Sequence, residues 1–469
     1  MPQRSERFSK SSLRVRDTHE LLPLPLAPYV WAGDFDPGLL HTFPVLHKRR
    51  TKHGKKPDLL DCVCAFDIEA TNIDEIEQAV MYIWQLQIDT ELTVFGRSWE
   101  EFDQVIRKMI KALPDGCNLC LFVHNLSYEF SFLKSIYEFR PEEVFAVQRR
   151  KVVRCDMYDR IEIRCSYRLS NMSLRDFTRR YQVKHQKLDD YDYNIPLYPW
   201  SDLTVEQLRY CQNDVLGLVE AVRAMLIWEH DTLLTLPLTS TGFVRRECKK
   251  LLQKNLGYTW AKKFFPSPRL YKYMRRCFRG GDTCANRWYM NETLSNVQSW
   301  DRSSSYPDVM VNCLFPCTPF VECLQHLDLP YIEKLIQRGR ALIMEIRLSH
   351  VRLRNKYWGD PYLTKDKSRN LDPDAEIING RILSAASLET VITEIDYQII
   401  KEQYDYEIEI LTYFKASKSM LPECLRDYIK KLYRDKTELK GKEGSTPEET
   451  EYNERMYMKS KALLNSVYG

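Results

Sequence analysis

The triplet Asp67-Ile68-Glu69 closes an otherwise apolar run, residues 62–68. A run of that length and composition predicts a strand. Side chains alternate along a strand, so the two carboxylates emerge on one face, close enough to share a divalent ion. Two more acids follow. Glu129 comes after His124-Asn125-Leu126-Ser127-Tyr128, where Ser127 is expected to cap a helix running to residue 139, with Glu129 in its first turn at the sheet edge. Asp214 lies four residues after Tyr210, on a helix that Thr204 and Gln207 open with a capping-box pattern. Leu208, Val215, Leu218, Val219 and Val222 form its buried stripe. Tyr210, Asp214 and Gly217 lie on another face, with Gly217 leaving space for a close approach. Carboxylates converging from separate elements suit two-metal phosphodiester chemistry, with ions ~3.5–4 Å apart. Tyr210, one turn from Asp214, is placed to orient a water. With 65 acidic residues in the chain, unrelated surface acids remain the alternative.

A further acid opens Asp301-Arg302-Ser303-Ser304-Ser305-Tyr306-Pro307, which reads as a strand end running into a helix start, with Pro307 stopping the chain's preceding pattern. A carboxylate there can hold a metal against a triphosphate, or simply cap the helix. The elements that must position these residues are strands over 80–88, 119–123, 152–157 and 160–166 and a helix over 173–181. Two late helices, 421–440 and 447–468, flank the polar turn 441–446, with Thr446 as cap and Pro447 at the first helical position. Lys461, Asn465 and Tyr468, at i, i+4 and i+7, present an ammonium, an amide and a ring on one face.

At 469 residues the chain is too long for one core, so two to four domains are expected. No run of about 18 apolar residues exists and the first 16 residues are basic and polar, which argues against a membrane span, a membrane partner or a secretory signal and for a cytoplasmic protein. Among 14 cysteines only Cys117 and Cys120 have metal-like spacing, and without a second pair they read as buried reduced thiols. Net charge is only +4, yet residues 1–60 carry +5 and residues 242–287 carry +11. The latter interleave cations with Phe243, Tyr258, Trp260, Phe264, Phe265, Tyr271, Tyr273 and Phe278, which suits a surface that neutralises phosphates. Residues 1–60 read as an extension with short local structure, ending in the basic linker 48–56.

Several of these stretches resemble a known family. Asp67-Ile68-Glu69, Asn125-Leu126-Ser127-Tyr128-Glu129 and Tyr210-Cys211-Gln212-Asn213-Asp214 resemble the three exonuclease motifs of the proofreading domain of family B DNA polymerases. Phe278-Arg279-Gly280-Gly281 is similar to the linking motif, Asp301 to Pro307 to polymerase motif A, and Lys461-Ala462-Leu463-Leu464-Asn465-Ser466-Val467-Tyr468-Gly469 to motif B. The long insertion between motifs A and B, with Thr393-Glu394-Ile395-Asp396-Tyr397 and Tyr404, resembles the protein-primed branch of phages, adenoviruses and linear plasmids.

The resemblance implies an α/β and α+β multidomain fold. An RNase H-like 3′–5′ exonuclease would span 61–230, the N-terminal part of a palm 231–315, a terminal-protein-region insertion 316–415, and helical fingers 416–469. It implies that Asp67, Glu69 and Asp214 bind the exonuclease metals, that Tyr210 orients water, and that Lys187 acts on the scissile phosphate. Glu129 stands where the family usually has Asp; a carboxylate longer by one methylene still binds a metal, with a slower exonuclease site or one that prefers Mn2+ as the expectation. Asn125, Tyr128 and Ser166 would hold the primer end, and Arg279, Gly280 and Gly281 the template. Asp301 and the Arg302 carbonyl would bind Mg2+; Tyr306 would gate the sugar; Lys440, Lys461, Asn465 and Tyr468 would meet the incoming nucleotide. A basic residue is often found one turn before Lys461, where this chain has Tyr457. The implied partners are template and primer DNA, dNTPs and a terminal (priming) protein. Motif C, with its second palm carboxylate pair, is not found in the 469 residues. The expectation is therefore a polymerase truncated at motif B, with a C-terminal polymerase fragment as a further partner and little synthesis by the chain alone.

Overall fold

The computed structural model describes residues 26–48, 57–73, 78–188 and 196–468. They form two units that divide after Ser240. Most of the basic linker, part of the polar segment after Lys187, and Gly469 of motif B lie outside the described residues.

The first unit is built on a nine-stranded mixed sheet. Its centre is the long strand Asp58–Ile73, paired antiparallel with Gln78–Ile88 and parallel with Cys117–Val123. Cys117–Val123 is buried throughout, as a strand covered on both faces must be. It pairs parallel with Ile161–Cys165, which continues antiparallel to Val152–Met157. The expected strands are therefore present, in one sheet. Phe66, Trp84 and Phe102 pack edge-on or tilted on one face of it, and at Gly96 a Cβ would sit 2.1 Å from the Trp84 ring, so only glycine fits. Cys117 and Cys120 are buried thiols, with Cys120 pushed up to about 12 by burial.

The N-terminal stretch is more integrated than expected of an extension. Tyr29–Trp31 adds a parallel edge strand beside Leu92–Gly96, and Phe35 and Leu40 are buried in the core. Ser127 does not cap a helix; its hydroxyl accepts from the Val152 amide at 3.1 Å, and the helix runs Glu129–Ile136 with Tyr128 at its N-cap. The hydroxyl is better used tying a turn to the neighbouring strand than capping eight residues. The capping box of Thr204 and Gln207 is formed, and it opens the 25-residue helix Val205–Glu229 across the sheet.

In the second unit the antiparallel strands Ala341–Leu353, Arg381–Thr393 and Tyr404–Ala416 carry a sheet of six strands. Thr393 and Asp396 form a capping box for helix Glu394–Gln403. Tyr397 and Tyr404 are buried, their hydroxyls donating to Glu333 Oε1 and the Ile382 carbonyl at 2.9 Å each. Leu270, on the amphipathic helix Pro268–Cys277, packs with Ile343, Val391 and Phe414 of the sheet. Helices Glu423–Leu439 and Pro447–Ser466 form a pair, with Thr446 capping and Pro447 opening the second as expected. That helix ends before Tyr468.

The lead-in to Asp301 is not a strand. Residues 297–302 have no regular structure; Ser304 adopts a left-handed conformation and a helix runs Ser305–Asn312, so Pro307 lies inside the first turn instead of stopping the chain. Proline is tolerated there because first-turn amides have no intrahelical partner.

One ion-pair network anchors the late helix to the first unit's sheet. Arg223 pairs with both Asp61 and Asp89, and Asp89 also accepts from the Val63 amide. Asp89 is 7% exposed, so removing its partner strands a buried charge. Arg223→Ala is expected to destabilise the first unit by about 3 kcal/mol, read from urea unfolding.

Candidate functional site

Asp67, Glu69 and Asp214 each place a carboxylate oxygen within 4.8 Å of the others. The central strand delivers the first two to one face, as alternation requires, and the late helix brings Asp214 across the sheet. Glu129 joins from the first turn of its helix, where burial first and the neighbouring Asp67 charge second push its carboxyl up. Gln85, opposite Asp67 on the neighbouring strand, donates to Asp67 Oδ2 at 3.2 Å.

Burial and mutual repulsion govern the electrostatics. Glu69, Glu129 and Asp214 are buried, and burial pushes all four acids above the usual carboxylate range; Asp67 is raised to about 7 by desolvation and by the charge of Asp214. The Lys187 ammonium opposes this. It donates to Asp214 Oδ2 at 2.5 Å and to the Tyr210 hydroxyl at 3.0 Å. Glu129 Oε2 and Asp214 Oδ1 are buried without a hydrogen-bond partner. Orphaned carboxylate oxygens on two converging helices, beside the strand carboxylates, fit cations, and an all-oxygen set suits a hard ion such as Mg2+ or Mn2+.

These groups line a cavity of about 980 Å3, together with Asn125, Tyr128, Tyr167, Arg175 and Arg179. Asn125 has a left-handed backbone (φ 70°), and Tyr128 is 43% exposed, a ring open to a ligand. Ser166 does not reach the cavity. It is fully buried, with its hydroxyl donating to the Val123 carbonyl and lying 3.0 Å from His124 Nδ1. His124 itself lines the cavity, held down to about 4 by burial and by Lys187, and is therefore neutral.

Sequence reasoning gave no role to Gln85, His124, Arg175 or Arg179. Gln85 and Gln87 interrupt an apolar strand on alternate positions, which was a signal; the arginines, at i and i+4 on helix Leu174–Arg180, gave none that a solvated helix face would not also give.

In the second unit the structure brings some of the expected nucleotide residues together. The rings of Tyr306 and Tyr468 stack at 4.4 Å and 17°, and a Cβ on Gly281 would lie 3.3 Å from the Tyr306 hydroxyl. Gly280 has open space where a Cβ would be. Arg279 is held by Asp396 at 4.0 Å and lies 4.6 Å over the Tyr362 ring. Lys461 lies over Tyr457 at 5.9 Å, and Lys440 and Asn465 are exposed. Arg302 pairs with Asp308 at 2.5 Å. Asp301 is exposed and belongs to no group of three metal-type ligands among the described residues. Lys436, one turn before Lys440, donates to Ser304 at 3.0 Å and was not foreseen.

The basic segment is partly spent internally. Arg269 pairs with Glu322 and Arg276 with Glu345, while Lys262, Lys263, Lys272 and Arg275 remain exposed beside exposed Tyr258, Phe265, Tyr271 and Phe278. Among the described residues no helix is long and apolar enough to cross a membrane.

Comparison with solved structures gives a fold match. Phi29 DNA polymerase complexed with single-stranded DNA aligns at 18% identity and a TM-score of 0.61, covering 87% of this chain and 67% of that one. Phi29 DNA polymerase complexed with primer-template DNA and incoming nucleotides aligns at 17% identity and 0.57, covering 87% and 68%. No curated protein matches. Residues 198–469, more than half of the chain, match the family described as DNA polymerase type B, organellar and viral. The chain belongs to the type B DNA polymerases of organelles and viruses.

Proposed function

We propose that the first unit is a metal-dependent 3′–5′ exonuclease that proofreads for a protein-primed DNA polymerase, and that the second unit binds template, primer and nucleotide for synthesis. The observation that carries the nuclease reading is the convergence of the Asp67, Glu69 and Asp214 oxygens within 4.8 Å, beside Lys187 and Tyr210, in an open cavity. The Phi29 complexes support DNA and nucleotide as ligands of this fold.

On this reading a frayed 3′ end enters the cavity, with the Asn125 amide and the Tyr128 ring holding its last nucleotide. Asp67, Glu69 and Asp214, with Glu129 beside Asp67, would hold divalent ions, which supply the charge that activates water and stabilises the leaving oxygen. Tyr210, its hydroxyl fixed by Lys187, orients the attacking water. Lys187, against Asp214, offsets negative charge at the scissile phosphate. Glu129 is one methylene longer than Asp, so it reaches the shared centre from the helix start.

The finer division on this reading is the N-terminal part of a palm (231–315), a terminal-protein-region insertion (316–415) and fingers (416–469); the six-stranded sheet and the late helix pair support it. Tyr306 and Tyr468 would receive the sugar and base, Lys436, Lys440 and Lys461 the phosphates, and Arg279 to Gly281 the template. A terminal protein would supply the priming hydroxyl. One observation favours a second reading, a stand-alone exonuclease whose second unit only binds DNA: Asp301 is exposed and belongs to no group of three metal-type ligands among the described residues.

Four measurements test these readings. Purified chain with Mg2+ is expected to shorten single-stranded DNA from its 3′ end, and Asp67→Ala to bring this to background; unchanged degradation by the variant rejects the site. Labelled dNTP added with a primed template tests the second reading, since incorporation above background rejects the stand-alone exonuclease. DNA binding by the second unit's basic segment is expected to weaken steeply with salt, log K against log salt falling by about 0.7–0.9 per phosphate contact; a flat response rejects the contact.

The fourth concerns pH. Between its ordinary 3.8 and about 7, folded Asp67 keeps a proton that the unfolded chain releases, so the metal-free protein loses stability as pH rises through that window. Metal-free Asp67→Asn is therefore expected to melt above metal-free wild type at about pH 8 and level with it at about pH 4. Mn2+ at about pH 8 is expected to reverse the order, because only wild type has the full ligand set.

A further inference from the structure

The segment carrying Lys187 is docked on the late helix residue by residue. The His185 amide donates to Glu220 Oε2 at 2.9 Å, and its ring Nδ1 lies 2.7 Å from Glu220 Oε1. The His185 carbonyl lies against Gly217 so closely that a Cβ there would be 2.1 Å from the oxygen. Asn213 Nδ2 donates to the Gln186 carbonyl at 3.2 Å. Lys187 then reaches Asp214 and Tyr210. Upstream, the Val183 amide donates to the Thr178 carbonyl, so the segment enters already fixed.

The helix residues involved are Tyr210, Asn213, Asp214, Gly217 and Glu220, spaced at three or four, hence on one face over three turns. Two of them hold the catalytic centre and three grip backbone or ring atoms just before Lys187. A lysine side chain has four rotatable bonds and loses much entropy when held. Fixing the two residues before it restricts where its ammonium can be.

We propose that Glu220, Asn213 and Gly217 are positioning residues that clamp residues 185–187 onto the helix and thereby set the Lys187 ammonium between Tyr210 and Asp214. Gly217 provides the close approach, Glu220 the grip on His185, and Asn213 the grip on Gln186. The clamp rests on the nuclease reading for its catalytic consequence, but not for its geometry.

Two readouts separate those parts. Trypsin cleavage after Lys184 and Lys187 is expected to quicken in Gly217→Ala and Glu220→Ala at a temperature where both variants remain folded by circular dichroism. Unchanged cleavage in both overturns the clamp, whatever the activity. In single-strand degradation each variant is expected to lose about 10²-fold in kcat with KM unchanged, the scale set by small misplacement of a catalytic group. Asn213→Ala, which leaves Gly217 and Glu220 in place, is expected to lose less. In a Lys187→Ala background the same substitutions are expected to cost nothing further. An equal loss in that background means damage not routed through Lys187, and overturns the positioning role. If wild type degrades no DNA, or Lys187→Ala degrades it at the wild-type rate, the nuclease reading or the lysine's role fails, while the cleavage test still decides the clamp.

Discussion

Crowding of buried negative charge is the constraint on which the first unit depends. Asp67, Glu69, Glu129 and Asp214 are drawn together against desolvation and mutual repulsion, each of which alone would keep carboxylates apart in a folded chain. What offsets them within the protein is the Lys187 ammonium, a donor from Gln85, and retained protons, of which the raised Asp67 is the clearest sign. A structure tolerates such an arrangement when the scaffold over-determines it. Here the scaffold is a central strand paired on both sides and a 25-residue helix pinned to the sheet by Arg223. The repulsion is local and the support is distributed.

The two units use charge differently. In the first, like charges converge, and the cations that matter are few and placed. In the second, a strongly basic segment loses part of its charge to internal pairing, because Arg269, Arg276 and Arg279 meet Glu322, Glu345 and Asp396. The cations left exposed sit among exposed rings, the combination that the proposed DNA contact requires. Exposed pairs such as Arg269 with Glu322 contribute little to stability. Their effect is to orient one helix face while its other side packs Leu270 into the sheet.

Strong local patterns were legible in the amino-acid order. Alternation along residues 62–69 put Asp67 and Glu69 on one face; the capping box of Thr204 located the helix of Tyr210 and Asp214; Thr446 and Pro447 located the last helix. These signals are local because a strand's period, a cap and a first-turn proline act within a few residues. Ser127 misled for the same reason, since a hydroxyl before a helix is a cap only if no competing amide is nearer, and Val152 was.

What the order of residues determined by itself was the set of chemical groups and the face each takes on its own element: two carboxylates on a strand, one at a helix start, one on a helix beside a tyrosine. Only the tertiary structure decided which groups meet. Lys187 lies 23 and 27 residues from Tyr210 and Asp214, yet its ammonium bonds both; Gln85 faces Asp67 through strand register; Glu220 and Gly217, on the helix that covers the sheet, meet His185 from a separate segment. No local pattern encodes such meetings, because they depend on how strands pair and how a helix crosses them. The same reason leaves Asp301 unlike its expectation: the residues before it had the composition of a strand end, but among the described residues no strand pairs with them.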